Sequence, residues 1–471
     1  HFDGRTLRLE AMAPAGPASR LGLIAREILA DHVGIGFAPA ALQVRQHALE
    51  RPLHRVAAHA VVVGDRHDVI ALVEEPRQRD LCGAGAVNFG HNNPIIKESI
   101  IQYLEDDGLV MGLDFHTQAK REFIRKFNEL VLMPRGLAYR MQFTNPTGTS
   151  VVESAIKLAR KYTGRENVFA FTNGYHGMTG VSLSLTGNRG NRQAVSYSNV
   201  TRLPFDNYLG NGFDELSYYR KLLRDNSSGI DLPAAIILET VQGEGGINVA
   251  SEQWLREIAG LAQECGALLI IDDIQAGCGR TGKFFSFERA GIKPDIVCLS
   301  KSIGAFGVPM SLLLFREDLD VWKVGEDIGT FRGNNIAFIA AAKMLDTYWN
   351  GSGFEVEIAE RAAIVKTFTQ GLADTYPELI KESRGLGLMQ GIEFYDETLC
   401  AAISKNCFSN GLVIERSGER DQVLKIMPAL TIGLDELHKG LQIINLSLGQ
   451  VIAKLAATQN IERELSSVVA S

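Results

Sequence analysis

Short, unbroken apolar runs recur through the middle of the chain: NVFAFT (167–172), AAIILET (234–240), ALLIIDD (267–273), DIVCLS (295–300) and SLLLF (311–315). Amphipathic stretches surround them: PIIKESIIQYLEDDG, with Gly108 as its stop, then TQAKREFIRKFNELVL, SVVESAIKLARKYTG and SEQWLREIAGLAQECG. Strands buried on both faces read as continuous apolar runs, and their alternation with helices predicts an α/β fold with a mostly parallel central sheet. After about Phe331 the pattern turns helical and then mixed, with strand-like GLMQGIEFYD (387–396) and QVLKIMPALTI (422–432). This predicts a large domain over residues 83–331, then an interdomain helix and a smaller C-terminal α/β domain over 332–471.

Residues 1–82 are of a different character. No lysine occurs before Lys97, and six of the ten histidines (His1, His32, His47, His54, His59, His67) lie there among repeated Ala, Arg and Pro. Two readings stand side by side: a small Ala/Arg-rich subdomain, or a shifted reading frame that rejoins the true one around GAGAVNFGHNNP (83–94). No catalytic residue is expected here.

Composition narrows the classes. A hydrophobic share of 45% and a charged share of 22% fit a soluble globular protein. A net charge of -7 argues against a nucleic-acid partner, since phosphate contacts want clustered Lys and Arg. No apolar run approaches the roughly 20 residues that cross a bilayer, so no membrane partner is expected. The opening HFDGRTLRLE lacks the basic start and apolar core of a secretion signal, and His1 is not read as the natural start. The six cysteines form no C-x-x-C and read as reduced thiols; the expected location is cytoplasmic. No H-E-x-x-H and no His/Cys cluster at zinc spacing occur, so no metal is expected.

Ligands of parallel α/β sheets sit beyond the carboxyl ends of the strands, and polar groups fall at several such ends. Asp272 and Asp273 close ALLII and lead into the glycine-rich DDIQAGCGRTG (272–282). In TNPTGTSVVESAIKLAR (144–160), Ser150 and Glu153 read as a capping box, with hydroxyls on Thr147 and Thr149 and a permissive Gly148. A helix start of this kind seats a phosphate, or is simply a capped helix. NGYHGMTG (173–180) offers Tyr175 as a ring to stack on a flat cofactor, or is a surface turn. ETVQGEGG (239–246) ends a strand with Glu239, Gln242 and Glu244; its two carboxylates could be acid/base groups, but without a metal motif they read as orienting or pairing residues. Lys301 follows DIVCLS, and by position alone could be a strand-end lysine meeting water. Taken together the groups meet the needs of pyridoxal phosphate: an amine for its aldehyde, a carboxylate for its ring nitrogen, a helix start for its phosphate and an aromatic face.

On these residues the chain resembles the class III (omega) aminotransferases of the fold type I pyridoxal-phosphate enzymes. NGYHGMT, ETVQGEGG, IDDIQAGCGRTG, LSKSIG and TFRGNN stand in the family's order, from about Gly83 to the C-terminal region. The resemblance implies pyridoxal 5'-phosphate as cofactor and Lys301 as the lysine that carries it and moves the proton. It implies Asp272 as the partner of the ring nitrogen and Gln275 as a contact to the phenolic oxygen. Thr147, Gly148 and Thr149 correspond to the phosphate loop, and Tyr175 to the stacking aromatic, with His176 beside it. Thr330 matches a threonine that reaches the phosphate across a subunit interface, which implies a homodimer or a higher homo-oligomer.

Two departures matter. Where relatives read D-E-V-Q, this chain reads Asp272-Asp273-Ile274-Gln275, keeping the working Asp and Gln. Gamma-aminobutyrate and ornithine aminotransferases carry an arginine for the substrate carboxylate near L-x-P-L-T-I, where VLKIMPALTI has Lys425. A lysine is a point charge without the guanidinium fork, or here an ordinary strand lysine. Lys425, the P-T-G-T loop and TFRGNN resemble one branch of the family. Its members pass an amino group from L-glutamate to L-aspartate 4-semialdehyde, giving L-2,4-diaminobutyrate and 2-oxoglutarate, as in ectoine formation. In that reading Glu239, Glu244 and Lys425 face the substrate, and Glu244 gates Lys425. Other amine donors, an aminomutase or a racemase on the same fold, or a chain inactivated by its first segment remain open at this point.

Overall fold

The computed structural model describes residues 83–193, 199–210 and 212–469. The two readings of residues 1–82 lie outside them. After α1 (Pro94–Glu105) and α2 (Gln118–Phe127) come β1 (Tyr139–Phe143), α3 (Gly148–Thr163), β2 (Val168–Phe171), α4 (Gly180–Leu185), β3 (Val200–Leu203), α5 (Glu215–Arg224) and β4 (Ala235–Leu238). A two-stranded ribbon, β5 (Val241–Gln242) and β6 (Asn248–Val249), precedes α6 (Glu252–Cys265), β7 (Leu268–Asp272), β8 (Ile296–Leu299) and β9 (Leu312–Arg316). All of these strands but β5 and β6 form a seven-stranded sheet in the order β1-β9-β8-β7-β4-β2-β3. Strand β9 runs antiparallel to both its neighbours, and the β8-β7-β4-β2-β3 stretch is parallel.

Each central strand is apolar because both of its faces are covered. All residues of β2, β4, β7 and β8 are buried. On one face Val151, Val152, Ala155, Ile156, Leu158 and Ala159 of α3 pack against Val168, Ile237, Ile270 and Cys298. At about 1.5–3 kcal/mol for each fully buried aliphatic side chain, such stripes fix where the helix sits.

The first turn of α3 differs from expectation. The cap is Thr147, whose hydroxyl accepts the Ser150 N–H at 3.1 Å, so the helix already begins at Gly148. Ser150 and Glu153 form no capping box, because Glu153 is turned outward to accept the Ser182 N–H at 2.8 Å. The helix ends where Gly164 takes the left-handed conformation, φ 67°.

Beyond residue 332 come α7 (Asn335–Tyr348), α8 (Gly353–Thr375), β10 (Ile380–Leu386), β11 (Met389–Phe394), α9 (Glu397–Ser409), β12 (Glu415–Ser417), β13 (Val423–Ile426) and α10 (Leu434–Val469). The four strands form an antiparallel sheet in the order β10-β11-β13-β12. Helix α10 packs Leu437, Leu441, Ile444 and Leu448 inward, a spacing of three and four residues that marks a core-facing stripe. Its stretch Leu434–Ala457 is long and apolar enough by length and composition to span a bilayer.

Candidate active site

Strand β7 delivers a carboxylate into the interior. Asp272 is 4% exposed, and a buried charge is costly without partners. Its Oδ2 lies 2.8 Å from His176 Nδ1, and its Oδ1 accepts the Ile274 N–H at 3.3 Å. With the carboxylate accepting, Nδ1 carries the imidazole proton. Burial opposes a charge on His176, but the Asp272 hydrogen bond and charge hold its pKa above the ordinary value.

The neighbouring strand delivers an amine. Asp272 is registered opposite Cys298 of β8, and Lys301 follows three residues on. Lys301 has φ +51°, a left-handed backbone that a residue with a side chain rarely adopts. The residues on either side are pinned. Ser300 Oγ donates to Met310 O at 3.0 Å and accepts from Ser311 Oγ at 2.8 Å. Ser302 Oγ donates to Gly85 O at 2.6 Å and accepts the Asn88 N–H at 3.0 Å. Burial lowers the Lys301 pKa, and the Lys425 charge adds to the shift against the pull of Glu244, Asp272 and Glu239. A lysine of lowered pKa has more free amine, the form that attacks a carbonyl or takes a proton.

The loop after β2 covers this pair. Tyr175, partly buried, donates its backbone N–H to Glu239 at 2.9 Å, and the His176 N–H goes to Thr186 Oγ1 at 3.0 Å. Burial, followed by the nearby Glu244, Glu239 and Asp272 charges, raises the Tyr175 pKa. Glu239, just after β4, is pushed up to about 7 by burial and by Asp272, with His176 opposing. Thr149 Oγ1 accepts the Met178 N–H at 3.1 Å, which ties the start of α3 to the same loop. Gly177 permits this approach: at φ +136°, a Cβ there would stand 2.3 Å from Thr149 Oγ1.

A second charged cluster joins from the smaller sheet. Lys425, in β13, is 3% exposed. Its ammonium lies 2.9 Å from Glu244 Oε1 and 3.1 Å from Glu415 Oε2. Burial works against the Lys425 charge, but Glu244 and Glu415 together raise its pKa. Burial likewise works against Glu244, yet Lys425, Gln275 and Lys301 hold it below the ordinary carboxylate value. Gln275 Nε2 donates to Glu244 Oε1 at 3.1 Å and to Ala84 O at 2.9 Å, while among the described residues its buried Oε1 has no hydrogen-bond partner.

Asp273 is a separate matter. It is buried and points at Ser286, whose N–H it accepts at 3.1 Å. Burial pushes its carboxyl up to about 7 from an ordinary 3.8, with Asp272 and Glu288 adding to the shift. A raised folded-state pKa gives stability that is full below the unfolded value and lost as pH rises through the folded one. Asp273 therefore costs stability above about pH 7. The Tm of Asp273→Asn is expected to gain on the parent as pH rises from about 4 to about 7, then hold that gain. Differential scanning fluorimetry across that range checks it, and a constant difference contradicts it.

The structure thus brings together Lys301, Asp272, Tyr175, His176, Gln275, Glu239, Glu244 and Lys425, with Thr147, Gly148 and Thr149 at the adjoining helix start. Thr330 is exposed at the head of a 3-10 turn (Thr330–Gly333), and among the described residues no hydrogen bond ties it to this cluster. The sequence reading missed Glu415, Ser300 and Ser302. Serines flanking a strand-end lysine were a usable signal. Glu415 had none, since its pairing rests on the β12–β13 register.

The donor set fits pyridoxal phosphate. Asp272 suits a protonated ring nitrogen, the Lys301 amine an aldehyde, and the Gln275 amide, with its oxygen unsatisfied, a polar ring substituent. The first N–H groups of α3 suit a phosphate.

A fold with these strand-end groups defines a class, and comparison with known proteins agrees: the family described as Aminotransferase class-III matches residues 54–448. The chain belongs to the class III aminotransferases and is a transaminase. It is 49% identical over 376 residues to a diaminobutyrate–2-oxoglutarate transaminase of Vibrio parahaemolyticus, covering 79% of this chain and 89% of that one. A protein of the same name from Halalkalibacterium halodurans is 49% identical over 372 residues, covering 79% and 87%. Among solved structures, the ornithine aminotransferase of Toxoplasma gondii, described with pyridoxal phosphate at its active site, superposes with a TM-score of 0.70. It is 24% identical and covers 91% of this chain and 98% of its own.

Proposed function

We propose that this chain is a diaminobutyrate–2-oxoglutarate aminotransferase. It moves an amino group from L-glutamate to L-aspartate 4-semialdehyde, giving L-2,4-diaminobutyrate and 2-oxoglutarate, as an ectoine-type pathway requires. The observation that carries this is Lys425, buried between two carboxylates and near enough to Lys301 for its charge to bear on that amine. Relatives at 49% identity that carry that name support it.

Pyridoxal phosphate is the cofactor; bound, it supplies an electron-accepting ring that stabilises charge on the substrate carbon. Lys301 holds it by its aldehyde. As a free amine of lowered pKa, Lys301 would also take the proton from the substrate carbon on its Nζ and give it to the carbon of the cofactor's aldehyde group. Asp272, steadied by His176, keeps the ring nitrogen protonated. Tyr175 would face the ring, Gln275 would meet the phenolic oxygen, and Thr147, Gly148 and Thr149 would seat the phosphate. Glu239 orients the Tyr175 loop. Glu244 covers Lys425 for one substrate and turns aside for the other, so that one pocket accepts two acids. The backbone around Glu244 is clamped: its carbonyl accepts the Gly418 N–H at 3.0 Å, and Gly246 O accepts from Arg384 Nε at 3.0 Å. Only the side chain needs to move.

The active unit is a cytoplasmic homodimer. Leu109, Val110, Leu113, Phe115, Ile328 and Phe331 are exposed. The two segments that carry them are joined by Gly112 N–H to Gly333 O at 2.8 Å and Asn335 N–H to Val110 O at 3.0 Å. An apolar patch of this kind marks an interface. With a second copy over it, Thr330, the neighbour of Phe331, would serve that copy's phosphate seat. Phe115→Asp is expected to weaken the dimer at least about tenfold, since it exchanges a buried aromatic for a charge. Light scattering across a dilution series checks it, with circular dichroism as the folding control; an unshifted dissociation curve contradicts it.

The test of function is product analysis. With pyridoxal phosphate, L-2,4-diaminobutyrate and 2-oxoglutarate, the enzyme is expected to form L-glutamate. If 4-aminobutyrate or ornithine yields glutamate and diaminobutyrate does not, the reading is wrong.

A further inference from the structure

Arg280 is completely buried. It stands in the glycine-rich loop after β7, and its guanidinium reaches the four-stranded sheet. Nη1 donates to Leu388 O, between β10 and β11, at 2.9 Å and to Pro428 O, just past β13, at 2.6 Å. Nη2 donates to Asn88 Oδ1 at 2.5 Å. The backbones meet here as well. Leu388 donates its N–H to Arg280 O at 3.0 Å, and a Cβ on Gly387 would stand 2.6 Å from that same oxygen. A buried cation is costly unless hydrogen bonds surround it. What a guanidinium offers in return is a rigid fork of donors, and here the fork holds oxygens from three separate stretches of chain.

Asn88 carries the connection onward to the reacting amine. It too is completely buried. Its side-chain oxygen takes the Arg280 fork, and its Nδ2 donates to Cys278 O at 3.2 Å. Its N–H donates to Ser302 Oγ at 3.0 Å, and its carbonyl accepts the Leu430 N–H at 2.7 Å. Cys278 and Lys301 both lie on left-handed backbone, φ +53° and +51°. Residues with side chains hold such conformations only where their surroundings enforce them. Asn88 grips the first through its carbonyl and the second through the hydroxyl of the adjoining Ser302. From this we infer that Arg280 and Asn88 form a buried strut that fixes the place of Lys301 relative to the four-stranded sheet. They act through Ser302 and are positioning residues for amino transfer. The inference rests on the proposed role of Lys301 and not on the identity of the second substrate. A proton carrier displaced by about 1 Å loses about a hundredfold in rate.

The test uses the protein loaded with pyridoxal phosphate, as parent, Arg280→Lys, Asn88→Ala and Asn88→Asp. A single turnover with L-glutamate separates two quantities. The 2-oxoglutarate released per chain counts assembled sites. The rate constant at saturating glutamate reads the placement of Lys301. Arg280→Lys and Asn88→Ala are expected to keep the amount and lower the rate constant about ten- to a hundredfold, with half-saturating glutamate changed less than about threefold. Asn88→Asp, which keeps an oxygen for the guanidinium, is expected to fall less. A reduced amount released at the parent's rate constant marks merely structural residues and overturns the inference. So do rate constants within about twofold of the parent's in both Arg280→Lys and Asn88→Ala. Hydrogen exchange of the parent decides where the variants do not fold. The Asn88 and Leu430 amides, both held by the strut, are expected to exchange among the slowest in the chain. Exchange there as fast as in exposed loops overturns the strut. If the parent releases no 2-oxoglutarate from glutamate, it is the proposed function that fails, and the exchange measurement still decides the strut.

Discussion

Lys301→Ala is expected to lower kcat/KM for L-glutamate by roughly four orders of magnitude or more, because the variant loses both a covalent anchor and a proton carrier. General acid–base catalysis alone is worth about 10²–10⁴-fold, and loss of the covalent route adds to that. Lys301 is the amine for which the fold has built a place. It stands on a left-handed backbone between two serines tied on both sides, next to the strand that ends in Asp272. Burial lowers its pKa, as a base that must be neutral to act requires. A readout besides activity separates this role from collapse of the site. Borohydride treatment of the parent loaded with pyridoxal phosphate is expected to leave the cofactor mass on the peptide containing Lys301. The variant is expected to show no labelled peptide. Label on another lysine of the parent would remove Lys301 from its role.

Asp272→Asn is expected to cost about 10²–10⁴-fold in kcat with a smaller change in KM, as loss of a proton-orienting carboxylate does elsewhere. The substitution keeps the shape and removes the charge. An amide gives no charge to hold a ring nitrogen protonated, and it competes poorly for the His176 Nδ1 proton, now accepted at 2.8 Å. The His176 pKa is held up chiefly by Asp272 against burial. It is therefore expected to fall in Asp272→Asn, and NMR titration of the imidazole reads this directly. An unshifted His176 with full activity would show that the charge at the end of β7 is not used.

How far the sequence spoke depended on burial. Strands β2, β4, β7, β8 and β9 could be read because their residues meet apolar neighbours on both faces. Strands β1 and β3 passed unseen because they close the two ends of the sheet and alternate only weakly; β3 has one fully buried residue among four. The strand-end groups were legible for the complementary reason. Asp272 and Lys301 are charges set at the close of apolar runs, a placement that demands partners. The cap at Thr147 was misjudged by three residues because Ser150 and Glu153 match a capping box by spacing alone, and only the fold shows Glu153 committed to Ser182. Glu415 was invisible, since nothing local announces a carboxylate whose partner lies across a strand pair. The resemblance already paired Glu244 with Lys425, and the structure sets the ammonium 2.9 Å from the Glu244 carboxylate.

The central claim is that Lys301, Asp272 and the Lys425 cluster form a site that takes an amino group from L-glutamate. A half-reaction tests it most directly. Protein loaded with pyridoxal phosphate is mixed with L-glutamate and no acceptor, and the cofactor absorbance and released 2-oxoglutarate are followed together. The account predicts loss of the yellow absorbance and one 2-oxoglutarate for each site, with recovery of the absorbance when L-aspartate 4-semialdehyde is added. Absorbance that glutamate leaves unchanged, with no keto acid released, would contradict it.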